Sequence, residues 1–355
     1  MVGAGIAAGL VVYVARTRQL ERQRGYLDEA LRIGLRLALP VALASGTAAW
    51  SFSDLLSGGK LAPFTFVLAA AAGWVAVIPL LVSNFWLGQQ RRAPMLALAL
   101  ASTGVMLLVP VIAPERYVFE CLAVSQALPA AVWWLLPRRE AAAEPPMRRL
   151  HPLRRYVLPG LTIGILSPMS MLVARGAIGD ALSWHDAGVF QALQRLADWV
   201  CLFAAGFLSL HFLPRFAAAG TGPPLDAEIR RAAGLVLLPA AIALAGLGLA
   251  HRPLLELLYD AGVRAPDAAV ALFFAGSVLR IAAWVPLFAL YAMHRTREIT
   301  IGECLSLPLF AALALLAGKH LSLEMAGAFW CFSYLAYATY NLRAVRRRQQ
   351  KSPTP

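Results

Sequence analysis

Charge is what this chain has least of. Only 14% of its residues are charged, against about 25% in ordinary globular domains. With hydrophobic residues at 59% of 355, the shortage excludes a water-soluble fold and implies an all-α polytopic membrane protein. Motifs of chemistry are also missing. There is no G-x-x-x-x-G-K-[ST] loop to cradle nucleotide phosphates and no H-E-x-x-H zinc site. No D-x-D pair could hold a metal-nucleotide sugar. The six histidines are scattered, and no cofactor is expected. Cys121, Cys201, Cys304 and Cys331 all fall in apolar runs without metal-ligand spacing, so they read as small buried hydrophobes. The longest outward loop has about 17 residues, too few for the catalytic loop of a membrane polymerase or ligase. These absences leave transport, not an enzyme, as the expectation.

What is present is a succession of apolar runs. A membrane-crossing helix needs about 20 largely apolar residues. That scale predicts eleven spans, near 2–15, 32–51, 63–85, 94–113, 117–137, 157–177, 187–213, 229–250, 268–291, 299–317 and 322–342. Pro40, Pro110, Pro129, Pro168, Pro239, Pro286 and Pro308 lie inside them and predict kinks. The first run is short and has no basic residue before Arg16, so it makes a poor signal peptide. It reads as the latter part of a helix whose beginning lies upstream.

The net charge of +13 is spread in short clusters between the spans, which argues against nucleic acid as a partner. One set of alternate loops (16–31, 86–93, 138–156, 214–231, 292–298) and the tail hold 22 of the 32 Lys and Arg residues, and the opposite set holds 5. The basic set belongs to the cytoplasmic side, which puts the C-terminus inside. The charged, proline-containing stretch 138–156 reads as a linker. It separates an N-terminal lobe of five spans (1–137) from a C-terminal lobe of six (157–342), followed by a basic cytoplasmic tail (343–355). Two-lobe transporters are built from such repeats, with the substrate path between them.

Several charges sit inside the spans. A charge at the centre of a span costs about 2.5–3.5 kcal/mol on insertion scales, so such residues face a protein interior or a wet cavity. Gln191, Gln194, Arg195 and Asp198 follow i, i+3, i+4 and i+7, which lays them on one helical face. The i+3 spacing lets Arg195 and Asp198 pair on their own helix, while Arg175 and Arg280 have no local counter-ion. Arg36, Glu120 and Glu324 lie nearer span ends. The surplus of arginine over Asp198 and Glu303 suits an anion, and guanidinium matches phosphate bidentately.

These stretches also carry a resemblance. "LSWHDAGVFQALQRLADWVCLF" with "LHFLPRF" resembles the seventh-to-eighth helix region of Wzx-type flippases for lipid-linked oligosaccharides, most of all the enterobacterial common antigen lipid III type. "FAGSVLRIAAW", with Arg280, resembles that family's tenth helix, and "IGECLSL", with Glu303, its eleventh. "MLVARGAI" matches the seventh-helix arginine at Arg175, and "GAGIAAGLVVYVA" resembles the second helix. The resemblance implies the multidrug/oligosaccharidyl-lipid/polysaccharide exporter superfamily, twelve helices in two lobes, and alternating access. It also implies a polyprenyl-diphosphate-linked glycan as substrate, membrane lipids around it, and glycan polymerase or chain-length machinery as partners. The departures are a missing first helix, a curtailed second, and an ionised Arg195 where the family has a small polar residue.

On this reading Arg175, Arg195 and Arg280 attract the diphosphate, Gln191 and Gln194 bond sugars, and Asp198 orients Arg195 or interrupts too tight a grip. Glu303 is a coupling or structural residue. The alternatives are an ion-coupled exporter of cationic drugs, whose cavity would be net acidic, a membrane-embedded glycan polymerase or ligase, and a non-functional remnant.

Overall fold

The computed structural model describes residues 4–51, 62–114, 117–135, 152–259 and 262–349. All regular structure among them is helical. In chain order the α-helices are α1 (Ala4–Arg16), α2 (Leu20–Ser51), α3 (Pro63–Val75), α4 (Val77–Gly88), α5 (Arg92–Ile112), α6 (Val118–Leu135), α7 (Val157–Leu161) and α8 (Ser167–Ala181). They continue as α9 (Trp184–Phe207), α10 (Leu213–Ala219), α11 (Pro223–Leu249), α12 (His251–Leu258), α13 (Asp267–Ala292), α14 (Thr296–Cys304), α15 (Leu307–Ala317) and α16 (Leu323–Gln349).

Among the described residues, eight helical segments are long and apolar enough to cross a bilayer, and 5–16 and 118–130 are shorter apolar helices. Together with α16 they occupy the eleven positions predicted from hydropathy. Their outer surfaces carry bare apolar side chains, such as Leu249 at 90% and Phe203 at 83% exposure. A water-soluble domain rarely leaves such large apolar areas uncovered.

The helices outrun the apolar runs. The basic stretch 16–31, expected as a loop, is mostly the start of α2, whose 32 residues extend about 48 Å at 1.5 Å per residue. The hydrocarbon core is only about 30 Å thick, so a helix this long keeps its charged first turns outside it. The expected loop 214–231 likewise shrinks to Gly220–Gly222, two of whose residues have positive φ. The expected loop 251–267 contains α12.

Prolines mark the breaks. Pro168 and Pro214 each follow a π turn, at Thr162–Leu166 and Leu208–Phe212. Proline has no N–H to give to residue i−4 and its ring crowds that carbonyl, and a wide turn relieves both problems. Pro308 starts α15 after the break that ends α14.

The chain divides into two compact units, Met1–Gly160 and Leu161–Pro355. Of the stretch 138–156, read as a linker, residues 138–151 lie outside the described residues, and Pro152–Tyr156 forms a 3-10 turn. In the first unit Ile6, Leu10 and Val14 of α1 pack with Leu27 and Ala30 of α2 and Leu81 and Phe85 of α4. Gln23 closes the C-terminus of α1. Its amide donates to the carbonyls of Val14 (3.2 Å) and Thr17 (2.5 Å) and accepts from Gln89 (2.9 Å), filling orphan acceptors of a helix end. In the second unit α13 packs on α9, α10, α11 and most closely on α16. A Cβ on Gly276 would stand 2.2 Å from Trp330, so only glycine permits that approach, as small residues do at membrane helix contacts.

Candidate functional site

α9 begins where Ser183 accepts a hydrogen bond from the Asp186 amide at 3.0 Å and its hydroxyl donates to the Asp186 carboxylate at 2.6 Å. This S-x-x-D cap fixes the start of the helix. From there the sequence sorts by face. Phe190, Leu193, Leu196, Ala197 and Cys201 are buried, with Phe190 stacked 5.8 Å from Phe310 and edge-on to Phe273 and Trp330. Gln191, Gln194 and Asp198 are half-buried beside them, and Arg195 is exposed.

Asp198 does not pair with Arg195. It accepts from Arg280 Nη1 of α13 at 2.8 Å, with both side chains only about one fifth exposed (21% and 19%). A residue three positions along the same helix loses to one on a facing helix because Arg280 is held from two further sides. Its guanidinium lies 4.8 Å from the Trp284 ring and 5.9 Å from that of Tyr334, where cation–π attraction adds to the ion pair. The pairing of Arg195 with Asp198 that their i+3 spacing allows is not the one formed: Arg280, with no counter-ion on its own helix, takes Asp198 from a facing helix.

Arg175 of α8 donates from Nη2 to Gln194 Oε1 at 3.1 Å, and its buried Nε has no partner. Gln194 is uncharged, so this bond orients the guanidinium without neutralising it. Arg195 and Asp198 are both near enough to act on Arg175 through space, one repelling and one attracting. Neither Arg175 nor Arg195 forms an ion pair among the described residues. The structure therefore brings Arg175, Gln194, Arg195 and Asp198 together, ties Arg280 to them through Asp198, and leaves two guanidiniums unbalanced.

Glu303 forms no ion pair with this group among the described residues, though Arg280 is near enough to act on it through space. It is buried next to the last residue of α14, where Leu305 and Ser306 fold back on Gly302 and Glu303. The Tyr337 hydroxyl donates to its carboxylate. Gly302 makes room for the α16 side chains, since a Cβ there would stand 2.6 Å from Asn341 Oδ1 and 3.0 Å from the Tyr337 ring. Asn341 in turn donates to the Ala283 carbonyl at 3.3 Å, joining α16 to α13.

Trp284, Tyr334, Tyr337 and Asn341 are absent from the residues picked out from the sequence. A signal for them exists. Trp330, Tyr334, Tyr337 and Asn341 follow i, i+4, i+7 and i+11, a stripe of polar-tipped side chains on one face of an apolar helix, and Trp284 is four residues past Arg280. The cysteines also divide differently from expectation. Cys201 is buried and Cys331 donates to the Leu272 carbonyl at 2.9 Å, but Cys304 is exposed.

No protein-family model and no curated protein matches this chain. Solved structures do. A structure described as the outward-facing conformation of a multidrug resistance MATE family transporter of the MOP superfamily superposes with a TM-score of 0.77 at 14% identity, over 99% of this chain and 84% of the other. The inward-facing conformation of such a transporter gives 0.70 at 13% identity, over 99% and 88%. A MOP superfamily transporter from Pyrococcus furiosus, described by a reverse polarity of its binding pocket, gives 0.79 at 14% identity, over 98% and 84%. This chain is a multi-pass membrane protein with the all-helical fold of MATE transporters of the MOP superfamily.

Proposed function

We propose that the chain is a flippase that moves a polyprenyl-diphosphate-linked oligosaccharide from the cytoplasmic to the periplasmic leaflet of a bacterial inner membrane by alternating access. One observation carries this reading. With Arg280 neutralised by Asp198, Arg175 of α8 and Arg195 of α9 are left as positive charges with no carboxylate partner among the described residues, and the α9 face also offers Gln191 and Gln194. Such charge is costly in an apolar helix, and an anionic diphosphate would repay the cost through charge-assisted, bidentate hydrogen bonds. The glutamine amides donate and accept, as sugar hydroxyls require.

Arg280 and Asp198 hold α9 against α13 and fix the direction of the α9 polar face, so Arg280 positions the site. The resemblance to Wzx-type sequences supports the substrate class. The fold, found in proteins described in outward- and inward-facing conformations, supports alternating access. The basic-residue bias supports a cytoplasmic C-terminus, and glycan polymerase or chain-length machinery remains the partner class that this activity implies.

The test is complementation of a strain lacking its lipid-linked oligosaccharide flippase, with untranslocated lipid-linked oligosaccharide as the readout. Wild type clears the precursor. Arg175→Gln and Arg195→Gln each lower the rate about tenfold or more, the loss expected from one charge-assisted contact, with the protein still folded. Full activity in the double variant would overturn the role of the arginines. Failure of wild type to complement, together with efflux of cationic dyes, would move the function to multidrug export, in keeping with structural neighbours described as multidrug resistance transporters.

A further inference from the structure

A second concentration of arginine lies away from α9, on the outer surface of α14 and α16. A cavity of about 580 Å³ opens there. Its head is formed by Arg297, Arg343 and Arg347, with Arg295 and Glu298 beside them. Its floor includes Ile301, Phe332 and Leu335, which are 40%, 56% and 52% exposed. Arg295 is tied to Glu298 by an ion pair. Arg297, Arg343 and Arg347 form no ion pair among the described residues. Tyr340 sits amid this group, within electrostatic reach of Arg295, Arg297, Glu298 and Arg347.

The sequence pattern gives the cavity a direction. On α16, Phe332, Leu335, Thr339, Arg343 and Arg347 follow i, i+3, i+7, i+11 and i+15, one face that passes from apolar to basic. Along α14 and the turn that ends it, Arg297, Ile301 and Leu305 follow i, i+4 and i+8, a second such face. There the basic residue comes first along the chain, and both arginine ends line one cavity. From Phe332 to Arg343 the helix rises about 16 Å, close to half the roughly 30 Å hydrocarbon core. The groove is therefore one leaflet deep, apolar along its length and cationic at its mouth. A soluble anion would fill only the mouth, and a zwitterionic lipid would leave three guanidiniums unbalanced.

We propose that this groove is a binding site for an anionic phospholipid of the surrounding leaflet. Its phosphate sits among Arg297, Arg343 and Arg347, and an acyl chain lies along Ile301, Phe332 and Leu335. On the orientation given by the basic-residue bias this is the cytoplasmic leaflet. The inference is independent of the transported substrate, because none of these residues belongs to the α8–α9 site.

Native mass spectrometry of the full chain, titrated with phosphatidylglycerol or phosphatidylcholine in detergent, tests it. Phosphatidylglycerol is retained in preference. Arg297→Gln, Arg343→Gln and Arg347→Gln each weaken retention about fivefold, and the triple variant about a hundredfold. Glu298→Gln, which removes the negative charge from the mouth, strengthens it about fivefold. A control triple, Arg215→Gln with Arg230→Gln and Arg231→Gln, leaves retention unchanged, and millimolar inorganic phosphate does not displace the lipid. Equal loss in the control triple would reduce the site to a diffuse positive surface and overturn the proposal. So would equal retention of phosphatidylcholine, displacement by inorganic phosphate, or preferential uptake of a polyprenyl phosphate. Unchanged unfolding temperatures of the variants exclude misfolding as the cause of any loss.

Discussion

The two compact units hold themselves together by different means. In the first, the apolar side chains of α1, α2 and α4 close on one another, Gln23 and Gln89 bond where α1 stops, and Trp74 donates to the Leu35 carbonyl at 3.0 Å. Arg36 is exposed there, and Glu120 accepts from Thr65 near the start of its helix. In the second, side chains of opposite charge meet between helices, Asp198 of α9 with Arg280 of α13. Asp198, Arg280 and Glu303 lie within the packed helices and Arg175 is half-buried. A buried ion pair is often no better for stability than hydrophobic packing, but breaking one by removing a single partner is costly.

That contrast can be broken by substitution. Arg280→Ala strands Asp198 in a half-buried place and should cost about 3–5 kcal/mol, read as thermal unfolding of the detergent-purified protein. Asp198→Ala should cost a similar amount. The double variant should lose markedly less than the sum of the two, since the partners share one interaction, and simple additivity would show that the pair contributes nothing jointly. Glu303→Ala removes the acceptor of the buried Tyr337 hydroxyl and should cost about 1–3 kcal/mol. Glu303→Gln keeps an oxygen in the same place and should stay below about 1 kcal/mol. If the two variants were equally destabilised, a fixed negative charge, and not an acceptor, would be what that position needs. The smallest effect belongs to the first unit. Gln23→Ala gives up the bonds to Val14 and Thr17 at a place water can reach, so a loss of about 1 kcal/mol is expected in the same assay.

The fold was legible in the sequence because hydropathy along a membrane chain is a strong signal. A run of about 20 apolar residues has few alternatives to a helix. What escaped was where helices end. Hydropathy reports the part of a helix in hydrocarbon, and the first turns of α2, with Glu21, Arg22 and Arg24, are helical without being apolar. The site was half legible. Periodicity on one helix put Gln191, Gln194, Arg195 and Asp198 on a common face, which is where they lie. Periodicity cannot say which neighbouring helix supplies a partner. The competition for Asp198 between Arg195 and Arg280 was decided by the packing of α13 and by two aromatic rings, Trp284 and Tyr334, that no pattern within α9 contains.

The wide turn ahead of Pro168 has one more effect. A π turn spends a surplus residue, and each residue of an α-helix advances its azimuth by about 100°. Thr162–Leu166 therefore acts as a phase shifter for everything after it in α8. With the extra residue, Arg175 meets Gln194. In a helix of the same sequence wound uniformly, its guanidinium would sweep round by roughly a quarter-turn or more, away from α9. The bearing of the site's inward arginine is thus set by a backbone irregularity more than two helical turns upstream, written into the chain by one proline.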